Sequence, residues 1–142
     1  MPVDGTVPRG HKPFPYPNTD SGFANAGNEL VNPIALTPEV LAEGKILYEK
    51  FCAHCHGATG KADGMVVTNG GFPPPTAYSD TNPTRRLKLS MNTLKPGHIY
   101  HAIMHGYNVM GSHAAQVAQV DRWKIIHYVN TMQNPVGMSA SN

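Results

Sequence analysis

The segment Phe51 to Gly57, FCAHCHG, constrains this chain more than any other stretch. It holds both cysteines of the protein, Cys52 and Cys55, with His56 directly behind them. Three chemistries use such a pattern: a disulfide redox pair, part of a zinc site, and a covalent haem attachment. A redox dithiol needs a helix that starts at the cysteines, because the helix N-terminus lowers the thiol pKa. Here the preceding sequence reads as a helix that ends there, with no βαβ pattern around it. A structural zinc site takes four ligands. Cys52, Cys55 and His56 supply three, adjacent Cys55 and His56 cannot easily face one tetrahedral ion, and no second cysteine pair exists. C-x-x-C-H is the c-type haem attachment pattern, in which the thiols bond the vinyl groups and the histidine lies beneath the iron. One motif implies one covalent haem c. It uses every cysteine, as expected of a chain that passes through an oxidising compartment.

The rest of the composition suits that reading. A chain of 142 residues makes one domain. Charged residues form only 14% of it, against roughly 25% in an average domain, and the net charge of +2 does not point to nucleic acid. No window approaches the roughly 18 continuous apolar residues of a membrane span. The opening residues have no apolar core of the signal-peptide kind.

Residues 1–36 are rich in proline and glycine and show no helical or strand period. They are expected to form an extended arm, polyproline-like around Pro13, Pro15 and Pro17. Phe14, Tyr16 and Phe23 suggest that the arm docks on a partner or on its own domain, and the expectation taken forward is order only against other subunits. A helical domain follows over 37–134, and 135–142 form a tail. Thr37 is a good N-cap, Pro38 suits the first helical position and Glu39 the positive helix end. Leu41, Gly44, Tyr48 and Phe51 then recur at helical spacing, and Gly44 predicts close approach of a second helix. LKPGHIYHAIMHG reads as a short helix closed by Gly106. VDRWKIIHYVNTMQ, capped by Asp121, is the last helix, with Pro135 just beyond its end.

An electron-carrying haem with a histidine ligand usually holds a second axial ligand. Met110, in the loop YNVMGSHAAQV between the last two helices, is the candidate, and His113 is its rival. Met104 and Met132 fall inside helices and read as core. His98, His101 and His105 share one helix face, as a metal stripe or as a polar edge. Arg85 and Arg86 are candidates for the haem propionates, or a solvated pair.

CAHCHG at the end of a helix, NGGFPPP, YNVMGSHAAQV and DRWKIIHYVNTMQ, taken in order, resemble a monohaem class I cytochrome c domain over about 37–134. The resemblance implies an all-α fold whose first and last helices cross, with Gly44 and Tyr48 facing Trp123, Ile126 and His127. It implies His56 and Met110 as iron ligands, and a proline carbonyl, Pro73 first and Pro74 next, accepting from the other nitrogen of His56. Where many relatives have Met-Pro-Ser-Tyr, this chain has Met110-Gly111-Ser112-His113.

VDGTVPRG in the arm, the Pro/Tyr-rich stretch after it, Asn32-Pro33 and DRW resemble the monohaem cytochrome c subunit of bacterial alternative complex III, a quinol-oxidising membrane assembly. That resemblance implies other subunits of a multihaem complex as partners and a terminal oxidase or its cytochrome as acceptor. It also implies a place on the periplasmic side of the inner membrane, held by partners or by a lipid anchor upstream of Met1. No catalytic residue is expected. The alternatives are a diffusible periplasmic cytochrome and a haem enzyme or gas sensor.

Overall fold

The computed structural model describes residues 13–135. The start of the arm, with VDGTVPRG and His11, and the tail from 136, with Met138, lie outside the described residues. Six helices follow one another: α1 (Asp20–Glu29), α2 (Pro38–Phe51), α3 (Ala53–His56), α4 (Met65–Thr68), α5 (Pro96–His105) and α6 (Gln119–Gln133). Short 3-10 turns at Arg86–Lys88 and Met91–Thr93 interrupt the long loop before α5. There is no strand among the described residues, so the all-α expectation holds. None of their helices is long and apolar enough to cross a membrane.

Helix α2 begins as its sequence dictates: the Thr37 hydroxyl accepts from the Val40 N–H, and Pro38 opens the first turn. Gly44 marks the crossing with α6. A Cβ there would lie 2.2 Å from the Lys124 carbonyl oxygen, so the two helices meet backbone to backbone. Glycine's helix cost of about 1 kcal/mol is offset by the burial this contact allows. Tyr48, Ile125, Ile126 and Val129 are fully enclosed beside it. The partners of the crossing are Lys124 and Tyr128, not Trp123 and His127 as expected: the Tyr48 and Tyr128 rings meet at 5.2 Å. His127 turns instead to the N-terminal segment. Helix α6 starts one residue before its expected start, after Ala118 and without a side-chain cap. Asp121 lies within its first turn, where its charge still complements the helix dipole.

The described part of the arm is neither extended throughout nor dependent on other subunits for its place. Thr19 caps α1 by accepting from the Gly22 N–H, and α1 packs along α5. The contact is close because both helices present small residues: a Cβ on Gly97 would lie 1.9 Å from the Ala26 carbonyl oxygen. Phe23 is buried, stacked on His98 at 4.5 Å and edge-on to His101 at 5.5 Å. Phe14 lies against Tyr100, His101 and His105.

The histidine stripe of α5 thus has a structural occupation. His101 Nε2 bonds the Pro17 carbonyl at 2.9 Å, and His105 Nε2 bonds the Tyr16 carbonyl at 2.8 Å. From α6, His127 Nε2 reaches the Ile34 carbonyl at 2.7 Å, while Asn32 donates to the Trp123 carbonyl. Among the described residues no group of three or more His, Cys, Asp or Glu side chains is arranged to hold a metal ion. The stripe satisfies backbone carbonyls of a segment that cannot pair them itself.

His98 differs from its neighbours, because its Nδ1 accepts a hydrogen bond from the Lys95 N–H. Protonation would turn that acceptor into a donor. Burial, then Lys95 and His101, push its pKa from 6.5 down to about 4. The folded value lies below the unfolded one, so the unfolded chain binds the proton more readily. The stability this group contributes is complete above about pH 6.5 and is lost as pH falls towards 4. Unfolding free energies from urea titrations should fall by about 1 kcal/mol per pH unit between about pH 6.5 and pH 4.5. His98→Asn should make that slope shallower, and an equal slope in the variant would rule His98 out as a source.

Candidate haem-binding site

The CAHCH motif forms the joint between α2 and α3. Cys52 ends α2, its N–H bonded to the Tyr48 carbonyl, and its own carbonyl accepts from the N–H groups of Cys55 and His56. This single tight turn fixes both thiols and the imidazole relative to one another. The next residues brace it from behind. The Tyr48 hydroxyl donates to the Gly57 carbonyl at 2.7 Å, the Ala62 N–H to the His56 carbonyl, and the Gly64 N–H to the Cys55 carbonyl.

Both cysteines are free and half-buried. Burial, with Cys55 beside it, pushes the Cys52 thiol up to about 12. A thiol held protonated is the opposite of the activated thiolate of a redox pair. The His56 ring lies flat on Tyr78, with centroids 4.9 Å apart and planes 12° from parallel. Burial lowers its pKa to about 4, helped by Arg85, His113 and His54. It is therefore neutral at physiological pH, the form that ligates a metal.

The His56 Nδ1 is buried without a hydrogen-bond partner. The expected acceptor, the carbonyl of Pro73 or of Pro74, does not receive it. Both prolines are exposed, and the Phe72 N–H bonds the Val66 carbonyl, which curls this loop back onto α4. Arg85 carries a second orphan, a buried Nε with no partner, and burial lowers its pKa. Arg86 is engaged elsewhere, 3.2 Å from Asp20 and bonded to Asn18. Two available thiols, a neutral imidazole with a spare nitrogen and a guanidinium whose buried Nε is unbonded fit a haem. They match its vinyl groups, its iron and its acidic edge respectively.

Met110 stands in a two-residue hairpin. The Tyr107 N–H bonds the Met110 carbonyl at 2.9 Å, and the Met110 N–H bonds the Tyr107 carbonyl at 3.0 Å. Asn108 adopts φ +54° to close it. Gly106, just before, has φ +75°, and a Cβ there would lie 2.1 Å from the Met110 carbonyl oxygen. Only glycine fits that position. The loop continues under further restraint. Ser112 Oγ donates to the Met104 carbonyl, and the His113 N–H donates to the Ile103 carbonyl. The buried Arg122 donates to the Val117 and Ala114 carbonyls and to the Tyr100 hydroxyl. Sequence reasoning assigns no role to Arg122 or Tyr78. The one visible signal for Arg122 was its place in DRW, on a helix otherwise presenting an apolar face.

A helical fold in which the first and last long helices cross beside a C-x-x-C-H turn defines a cytochrome c domain, a haem-mediated electron-transfer module. The chain belongs to the family described as cytochrome C oxidase, cbb3-type, subunit III, whose model matches residues 39–129. No curated protein gives a match. Among solved structures, it is similar to a chain of the Kuenenia stuttgartiensis reducing HAO-like protein complex. The two are 27% identical with a TM-score of 0.54, over 72% of this chain and 49% of the other. The chain thus spans about half the length of that relative.

Proposed function

We propose that this chain holds one covalent haem c, bound through Cys52 and Cys55 with His56 and Met110 as axial ligands. In this reading it serves as the monohaem electron-transfer subunit of a quinol-oxidising complex of the alternative complex III kind. It works on the periplasmic side of a bacterial inner membrane and passes electrons towards a terminal oxidase. The observation that carries the haem reading is the α2–α3 turn, which presents two unpaired thiols together with a neutral imidazole whose buried Nδ1 has no partner. When bound, the haem supplies one-electron chemistry at iron, with a potential raised by His/Met ligation. The chain's own residues hold and shield it: Tyr78 supports the face of His56, and Arg85 offers its guanidinium to the acidic edge. The complex is supported by the VDGTVPRG, Asn32-Pro33 and DRW resemblance. It accords with the membership of a similar chain in a protein complex.

A second reading, His56/His113 ligation, draws on one observation. His113 Nδ1 contacts the Gly111 carbonyl at 2.9 Å, which places the ring proton there and leaves Nε2 as a lone-pair donor. Met110→Ala and His113→Ala separate the two, as set out below.

The functional proposal is tested on native membranes solubilised in mild detergent and stained for haem after native electrophoresis. Comigration of this chain with a large multihaem assembly is expected. Release at moderate salt as a small free protein would favour a diffusible carrier. Rapid carbon monoxide binding by the reduced chain would favour an enzyme or sensor.

A further inference from the structure

The Tyr107 side chain, next to the hairpin turn, is gripped by two consecutive arginines. The Arg85 Cζ lies 4.2 Å from its ring centroid and the Arg86 Cζ 5.3 Å. Two neighbours in sequence reach one ring because the chain turns sharply after them. Leu87 and Lys88 both take left-handed backbone conformations, φ +61° and +56°, and the Arg85 N–H closes the loop onto the Leu89 carbonyl. Left-handed geometry at two non-glycine residues carries strain, which the surroundings hold in place. Arg86 is itself fixed by the N-terminal segment: Asp20 at 3.2 Å, Asn18 Oδ1 at 3.2 Å, and the ring of Phe23 at 5.6 Å. Tyr107 in turn exchanges both backbone hydrogen bonds with Met110.

A continuous set of contacts therefore runs from Asp20 through Arg86 and the Tyr107 ring to the backbone of Met110. We propose that Tyr107 is a positioning residue for Met110, and that through Arg86 the N-terminal segment controls how firmly Met110 holds the sixth position. This rests on the His56/Met110 reading above. The ring's π-face is what the arginines contact, so the interaction needs an aromatic ring and not the hydroxyl. Loss of the grip frees the hairpin to swing Met110 away, and an external ligand then finds the iron open more often. Apparent affinity for that ligand rises in proportion to the open population.

The test uses the oxidised, haem-loaded full chain titrated with imidazole, following loss of the sulfur-to-iron charge-transfer band. Tyr107→Leu and Arg86→Gln should each bind imidazole about tenfold more tightly, the scale expected of a partly desolvated cation–π contact. Tyr107→Phe should behave as the unmodified chain. Urea unfolding of each variant checks that the fold persists. Asp20→Asn, on an exposed carboxylate, gives a second route with a smaller shift in the same direction. Unchanged imidazole affinity in both Tyr107→Leu and Arg86→Gln would overturn the proposal, as would a Tyr107→Phe variant no better than Tyr107→Leu. An unmodified chain with no such band, or a band that survives Met110→Ala, would overturn the ligand reading itself and the proposal with it.

Discussion

Phe23→Ala is expected to destabilise the protein by about 3–5 kcal/mol, the usual cost of removing a buried aromatic ring. Phe23 is 3% exposed and stands at the centre of the contact between α1 and α5. It stacks on His98, meets His101 edge-on and lies under Arg86. Against a total stability of roughly 5–15 kcal/mol, such a loss brings the domain close to unfolding at ambient temperature. Urea unfolding followed by far-UV circular dichroism measures it. A loss below about 1 kcal/mol would mean that α1 contributes little in solution and that the N-terminal segment serves partners instead. The sequence alone favours that second outcome. The pattern of four inter-segment hydrogen bonds from Asn32, His101, His105 and His127 is what reverses it.

Met110→Ala should remove the charge-transfer band and lower the reduction potential by a substantial fraction of the about 0.8 V that axial ligation commands in haem proteins. A thioether favours the reduced iron, and water or a second imidazole in its place favours the oxidised form. His113→Ala should leave both properties unchanged. Potentiometric titration of the two variants beside the unmodified chain decides the assignment. An unmodified chain that lacks the band, with a potential that Met110→Ala leaves unchanged and His113→Ala shifts, assigns the ligand to His113.

The parts of this fold that the sequence displayed are those with local causes. Thr37-Pro38-Glu39 begins α2 by capping and dipole chemistry, Gly106 ends α5 by its left-handed φ, and Gly44 announces a helix crossing. CAHCH reads directly because its spacing is the chemistry. Helix α1 stayed hidden for physical reasons. Its sequence, DSGFANAGNE, has one large apolar residue and otherwise buries only Gly22, Ala26 and Gly27, so no amphipathic stripe can show. Thr19 before Asp20 was a readable N-cap, masked by the prolines at 13, 15 and 17. The histidine stripe was visible as a stripe. Its purpose was not, because its acceptors are backbone carbonyls more than eighty positions away for His101 and His105. Arg85 and Arg86 looked equivalent. The left-handed turn at Leu87 and Lys88 leaves one on the Tyr107 ring with its buried Nε unbonded and binds the other to α1. Pro73 shows the limit of resemblance: the loop exists, but here it folds onto α4 and leaves the His56 Nδ1 unmet.

The central claim is that Cys52 and Cys55 carry one haem by covalent bonds. Mass spectrometry of the intact chain under denaturing conditions tests it most directly. The native protein should show the mass of the polypeptide plus a single haem, retained through acid–organic extraction. The Cys52→Ala/Cys55→Ala variant, purified alongside, should show the polypeptide alone. A native chain whose denatured mass is that of the bare polypeptide, or of two thiols joined as a disulfide, would contradict the account at its base.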